Sequence, residues 1–128
     1  MTTATLLAVA LGGALGALGR YLLSTGLRGW LGPDFPWGTL GVNLLGSFAL
    51  GFLFALVQRQ AIPPEFQALL AVGVLGSFTT FSTFSLETFA LVQEGAWGKA
   101  VWYVGSSLVL GFAAVAVGIA LAGGLRRV

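Results

Sequence analysis

Along this chain polar and charged residues punctuate long apolar runs instead of alternating with them. Met1 to Gly19 carries no charge, and after Arg20 the run resumes from Tyr21 to Leu27. Phe35 to Gln58, Phe66 to Leu86 and Ala100 to Leu125 are three further charge-free runs. A membrane-crossing helix needs ~20 predominantly apolar residues, so each run is long enough for one. The pattern predicts four spans near 4–26, 38–57, 67–92 and 99–125. The alternative for the first run is a cleaved signal peptide, which would open on a basic segment. No Lys or Arg precedes the apolar stretch, and the helical pattern continues through Arg20. The connections are short and hold breakers: Gly29, Gly32, Pro33 and Pro36 in the first, Pro63 and Pro64 in the second. Pro64 also suits the first turn of a following helix.

Composition sharpens the class. Charged residues make up 8% of the 128 residues, against roughly 25% in soluble domains, and mean hydropathy is +0.96. So few charges could not cover a soluble surface, and the chain reads as a single all-α membrane domain. Histidine and cysteine are absent, which excludes His/Cys zinc sites, disulfides, thiol nucleophiles and Ser-His-Asp triads. The net charge of +2 comes from six scattered basic residues, a pattern that argues against nucleic-acid binding.

Orientation follows from Lys and Arg in the loops. With four spans, Arg59, Arg126 and Arg127 fall on one side, and Arg20, Arg28 and Lys99 on the other. The tally is three against three, so no orientation is preferred. Either the short loops make the count noisy, or copies insert both ways and pair antiparallel.

Glycines at helical spacing, such as Gly12-x-x-x-Gly16, and Gly38, Gly41, Gly46 and Gly51, predict close helix packing in lipid. They say nothing about transport. Polar residues say more, because each one in the bilayer needs a partner or a wet path. Thr39, Asn43, Ser47 and Gly51 recur every four residues on one face of the second span. Interhelical glue and a pathway lining explain this stripe equally well. Tyr103, Ser106 and Ser107 lie in the fourth span, where Tyr103 also suits an interfacial belt and hydroxyls can bond their own helix.

The stretch from Gly73 to Ser85 is a poor helical sequence, rich in Gly, Thr and Ser at membrane depth. It predicts a break in the third helix. Carbonyls freed there need protein, water or an ion, and carbonyl oxygens suit hard cations. Phe78, Phe81 and Phe84 recur every three residues, as ordinary packing would also have them. Arg20 either snorkels or attracts anions to a vestibule. Glu87 is expected near a helix end, pairing or capping. If the stripes line a path, they offer neutral donors and phenyl edges, which hold a small hard anion weakly enough to release it.

At these residues the chain resembles the Fluc/CrcB family of fluoride channels. The matching motifs are Gly16-Ala17-Leu18-Gly19-Arg20-Tyr21, the run from Gly38 to Phe48 (GTLGVNLLGSF), and the run from Gly76 to Ser85 (GSFTTFSTFS). The resemblance covers nearly the whole chain. It implies an antiparallel, dual-topology homodimer with two pores in the cytoplasmic (inner) membrane, which agrees with the independent charge tally. It implies that Phe81 and Phe84 form an aromatic fluoride-contacting box across subunits. Asn43 would be the amide donor, with Ser82, Thr83, Ser85, Tyr103 and Ser107 along hydroxyl tracks and Arg20 at the vestibule. The carbonyls of Gly76 and Thr79 from both subunits would hold a structural Na+. Gly111 supplies no hydroxyl where a family member can have serine, and Ser77 receives no role. The implied function is passive fluoride export that confers resistance, with no enzymatic step. Two other classes compete. A small multidrug exporter would want a carboxylate in its first span, which this chain lacks. A non-conducting assembly protein accounts for the glycine faces, but not for the polar stripes and aromatic repeat together.

Overall fold

The computed structural model describes residues 1–123, and all its regular elements are helical. Arg126, Arg127 and the expected end of the fourth span at residue 125 lie outside the described residues. Helix α1 runs Thr3–Leu31, α2 Trp37–Gln58, α3 Pro64–Gln67, α4 Gly76–Phe78, α5 Phe81–Gln93 and α6 Trp97–Leu121. Between α3 and α4, Ala68–Leu75 is wound as a π-helix. Four helical stretches are long and apolar enough to cross a membrane: Thr3–Leu31, Trp37–Gln58, Pro64–Gln93 and Trp97–Leu121.

Local chemistry sets the ends. The Thr2 hydroxyl caps α1 by accepting from the Thr5 amide at 3.1 Å. Helix α1 passes through Gly26 and Gly29, because a glycine costs a helix only ~1 kcal/mol. It ends at Gly32, whose φ of +92° suits glycine and which precedes Pro33. Pro64 opens α3, where a missing N–H costs nothing.

Glycines fix how the helices meet. Helices α2 and α6 run side by side in the same direction and form the most extensive pair. A side chain on Gly51 would overlap the Val115 carbonyl, and one on Gly118 the Phe48 carbonyl. Helix α1 lies equally close to the π-helix, where Cβ atoms on Gly12 and Gly16 would strike the Leu69 and Val74 carbonyl oxygens. Such backbone-to-backbone approach is what small residues permit in lipid. Arg59, at the end of α2, donates to the Gly123 carbonyl beyond α6 and ties those two ends together. Leu7, Leu11, Leu15, Leu18 and Leu22 form an exposed row on α1, as a lipid-facing surface requires. One buried cluster is Leu40, Leu91, Ala100 and Tyr103, with Phe35, Leu44 and Phe84 packed against it, while Val42, Leu53, Ala55 and Ala122 are buried outside that cluster.

Candidate functional site

Helical winding stops at two threonines. Thr79 (φ −84°, ψ 156°) and Thr80 (φ −150°, ψ 117°) are extended, with helix on either side. The main-chain groups of Thr80 therefore need partners from elsewhere. Asn43 of α2 supplies them: its Oδ1 accepts from the Thr80 amide at 2.8 Å, and its Nδ2 donates to the Thr80 carbonyl at 3.0 Å. This two-point pairing uses one of the two amide hydrogens on Nδ2 and leaves the other for a further acceptor. Part of the Asn43 stripe is thus interhelical glue.

The Thr80 hydroxyl caps α5. It accepts from the Thr83 amide at 3.2 Å, donates to the Thr83 hydroxyl at 3.0 Å, and lies 3.4 Å from that of Ser82. Thr79 turns back on its own helix, with both its amide and hydroxyl donating to the Leu75 carbonyl. Ser85 and Ser106 do the same, donating to the carbonyls of Phe81 and Trp102. The Ser107 hydroxyl differs: it is buried and has no hydrogen-bond partner. A buried hydroxyl left without a partner costs ~1–3 kcal/mol, which makes it a place that welcomes an acceptor.

Glu87 is not the helix-end residue that its sequence position suggested. It lies in the middle of α5 and faces inward, accepting from the Thr39 hydroxyl at 2.7 Å and from the Tyr103 hydroxyl at 3.1 Å. Thr39 and Tyr103 are buried. Sequence reasoning missed this three-residue cluster. The available signal was a lone carboxylate in an apolar run, which has to find donors inside the bundle.

Two clefts adjoin this cluster and share Thr39. The larger, about 470 Å³, opens between the first and third connections; Arg28, Asp34, Glu94 and Lys99 stand at its mouth and Thr39, Thr83 and Glu87 deeper in. The smaller, about 360 Å³, is lined by Arg20, Tyr21 and Thr80. Ser24, Thr39 and Thr83 border both clefts, so the charged mouth and the extended Thr80 lie on neighbouring clefts with a shared polar wall. Arg20 therefore faces a cleft. Phe84 stands edge-on to Tyr103 with ring centres 5.0 Å apart, and 5.8 Å from Phe81, which is 79% exposed on the protomer. Gly76 is also exposed. The protomer thus gathers Asn43, Thr83, Phe84 and Tyr103 around one region, while Ser82, Ser85 and Phe81 face outward.

A family model described as CrcB-like protein, Camphor Resistance (CrcB), matches residues 7–119. This chain belongs to the CrcB family. Among curated CrcB relatives, one from Magnetococcus marinus is 54% identical over 87% of this chain and 91% of its own length. One from Rhodospirillum centenum is 51% identical over 91% of this chain and 93% of its own. One from Methylococcus capsulatus is 56% identical over 92% of this chain, which spans about half (52%) of that relative's length. All three relatives are named fluoride-specific ion channel FluC. The family is one of ion channels, not enzymes, and this CrcB chain is a multi-pass membrane protein.

Proposed function

We propose that this CrcB-family chain is a fluoride-selective passive channel of the cytoplasmic (inner) membrane, which exports fluoride and so confers resistance to it. One observation carries the reading: curated relatives at about half identity over nearly their whole length bear the name of a fluoride-specific channel. The chemistry of the side chains singled out above agrees. Asn43 has a spare amide hydrogen, Ser107 an orphan hydroxyl, and the phenyl rings of Phe81 and Phe84 present positive edges. These neutral dipoles replace part of a small anion's water shell without the grip of a fixed cation. Ser82, Thr83, Ser85 and Tyr103 complete the hydroxyl track, and Arg20 raises the anion concentration at the vestibule. An inside-negative potential drives the anion outward at ~2.3 kcal/mol per 100 mV, so no energy coupling is needed.

The working unit is an antiparallel, dual-topology homodimer. The exposed Phe81 and Gly76 leave the aromatic box and the carbonyl cluster incomplete in one copy. The tryptophans add support. Trp30, Trp37, Trp97 and Trp102 all lie at the end of the molecule that carries the first and third connections, and all are exposed. Membrane proteins place aromatic belts at both interfaces. An antiparallel pair would supply the second belt that a single copy lacks.

A structural Na+ suits the Gly76–Thr79 region. Thr79 is extended, which takes its carbonyl out of regular helical bonding, and neutral oxygens match a hard monovalent ion. Gly76 and Thr79 of two copies would supply the oxygens, and the bound ion would hold the two third helices together by charge.

The direct test is anion efflux from proteoliposomes. Fluoride should leave and chloride should be retained; equal release of the two would overturn the proposal. Because the chain has no cysteine, a single cysteine tag at either terminus reports topology without background. Labelling from both sides of the membrane is expected, and labelling from one side would end the dual-topology reading.

A further inference from the structure

The first connection places an aromatic ring over the buried end of the polar cluster. Pro36 (φ −77°, ψ 61°) is the centre of an inverse γ-turn, in which the Trp37 amide donates to the Phe35 carbonyl at 2.8 Å. The proline ring restrains φ, so this turn has little freedom. It holds the Phe35 ring 4.6 Å from that of Trp37 and 5.6 Å from that of Tyr103, at 77° to the latter. Tyr103 is fully buried and also meets Phe84 edge-on, at 5.0 Å and 62°. Trp37, Phe35, Tyr103, Phe84 and Phe81 thus form an unbroken row of rings from the mouth of the larger cleft to the exposed Phe81.

We infer that Phe35 is a positioning residue: it wedges the Tyr103 ring against Phe84 and so keeps the Tyr103 hydroxyl on Glu87, which sets the outer end of the anion path. This rests on the channel reading above. The physical reason is that one hydrogen bond does not fix a phenol ring, which can still swing about its Cα–Cβ and Cβ–Cγ bonds. Edge contacts from two rings, Phe35 and Phe84, restrict that freedom. Phe35 lines the same cleft as Thr39 and Glu87, so removing its ring also opens the cluster to the mouth. Its contribution is bulk held in place by a rigid turn, not contact with the ion.

The test combines flux with a reporter on Tyr103. The chain has two tyrosines, so Tyr21→Phe leaves Tyr103 as the only site for fluorotyrosine labelling and a single 19F resonance. Phe35→Ala should lower fluoride efflux roughly tenfold, as expected when the bulk that holds Tyr103 on Glu87 is lost, with the dimer intact. It should also shift or broaden the Tyr103 resonance. Phe35→Leu, which restores bulk without a ring, should recover most of the flux and the resonance. An unchanged resonance in Phe35→Ala would overturn the inference, and so would a Leu variant as slow as the Ala variant. Should the parent protein fail to discriminate fluoride from chloride, the channel reading would fall, whereas the resonance would still report whether Phe35 holds Tyr103.

Discussion

At the residue scale, Asn43 and Ser107 are opposite cases of a polar group inside the bundle. Asn43 spends its carbonyl and one amide hydrogen on the Thr80 main chain. Asn43→Asp would set a carboxylate oxygen against the Thr80 carbonyl, leaving that carbonyl without a donor and adding a charge to the proposed path. The expected result is a loss of ~1–3 kcal/mol in stability, read as a lower midpoint of thermal unfolding in detergent, together with loss of fluoride efflux. Ser107 has no partner to lose. Ser107→Ala should leave the unfolding midpoint unchanged or slightly higher, since it removes an unsatisfied hydroxyl, while fluoride efflux falls. If Ser107→Ala instead lost stability and kept its flux, the hydroxyl would belong to packing and not to the path. Phe81 and Phe84 separate in the same way. Phe81 is exposed on the protomer and Phe84 is packed against Tyr103, so Phe81→Ile should impair flux alone, whereas Phe84→Ile should impair both flux and stability.

At the element scale, the third span is a composite of α3, the π-helix, the single turn α4, two extended residues and α5. A π-helix winds i→i+5, is rare, and survives where its surroundings require it. Here the surroundings are the glycines of α1, whose missing side chains admit the Leu69 and Val74 carbonyls. Gly16→Ala would force α1 away from this segment, with an expected cost of ~1–3 kcal/mol from overpacking. Gly46→Ala would meet the Thr79 side chain and the Phe78 ring and should cost a similar amount. Gly26 in the same α1 has open space around it, so Gly26→Ala should stabilise by ~0.5–1 kcal/mol through helix propensity alone. Unfolding midpoints of the three variants check the contrast. A sequence shows that glycines share a helical face, but it cannot show which of them carry contact. Gly12 and Gly16 press on the π-helix while Gly26, Gly29, Gly105 and Gly111 touch nothing nearby, although all are equally glycine in the chain.

At the scale of the whole molecule, the dimer proposed above makes the site of one protomer unfinished. The two clefts share Ser24, Thr39 and Thr83, one opening at the charged mouth and the other reaching Thr80, and Phe81 and Gly76 face outward. Fluoride efflux should therefore depend on assembly. Dilution of the protein into vesicles until most hold a single copy should lower the fluoride-permeable fraction more steeply than the count of vesicles containing protein. A fraction that tracked single-copy occupancy would show that one protomer conducts unaided.

The sequence determined the class of molecule by itself, because charge-free runs of sufficient length have few alternatives to membrane helices. It also determined which residue types reach membrane depth, since the helical period assigns Thr39 and Asn43 to one face whatever that face meets. Only the tertiary structure decided the partners. A period states direction, not what stands opposite; that depends on how close glycines let neighbouring helices come, and on how far the π-helix turns the residues after it. This is why Glu87, which sequence position placed near a helix end, lies instead between Thr39 and Tyr103. It is also why Phe35, an ordinary loop aromatic in the chain, comes to rest on Tyr103: a hydrogen-bonded turn at a single proline directs its ring there, and no local pattern records where Tyr103 will be.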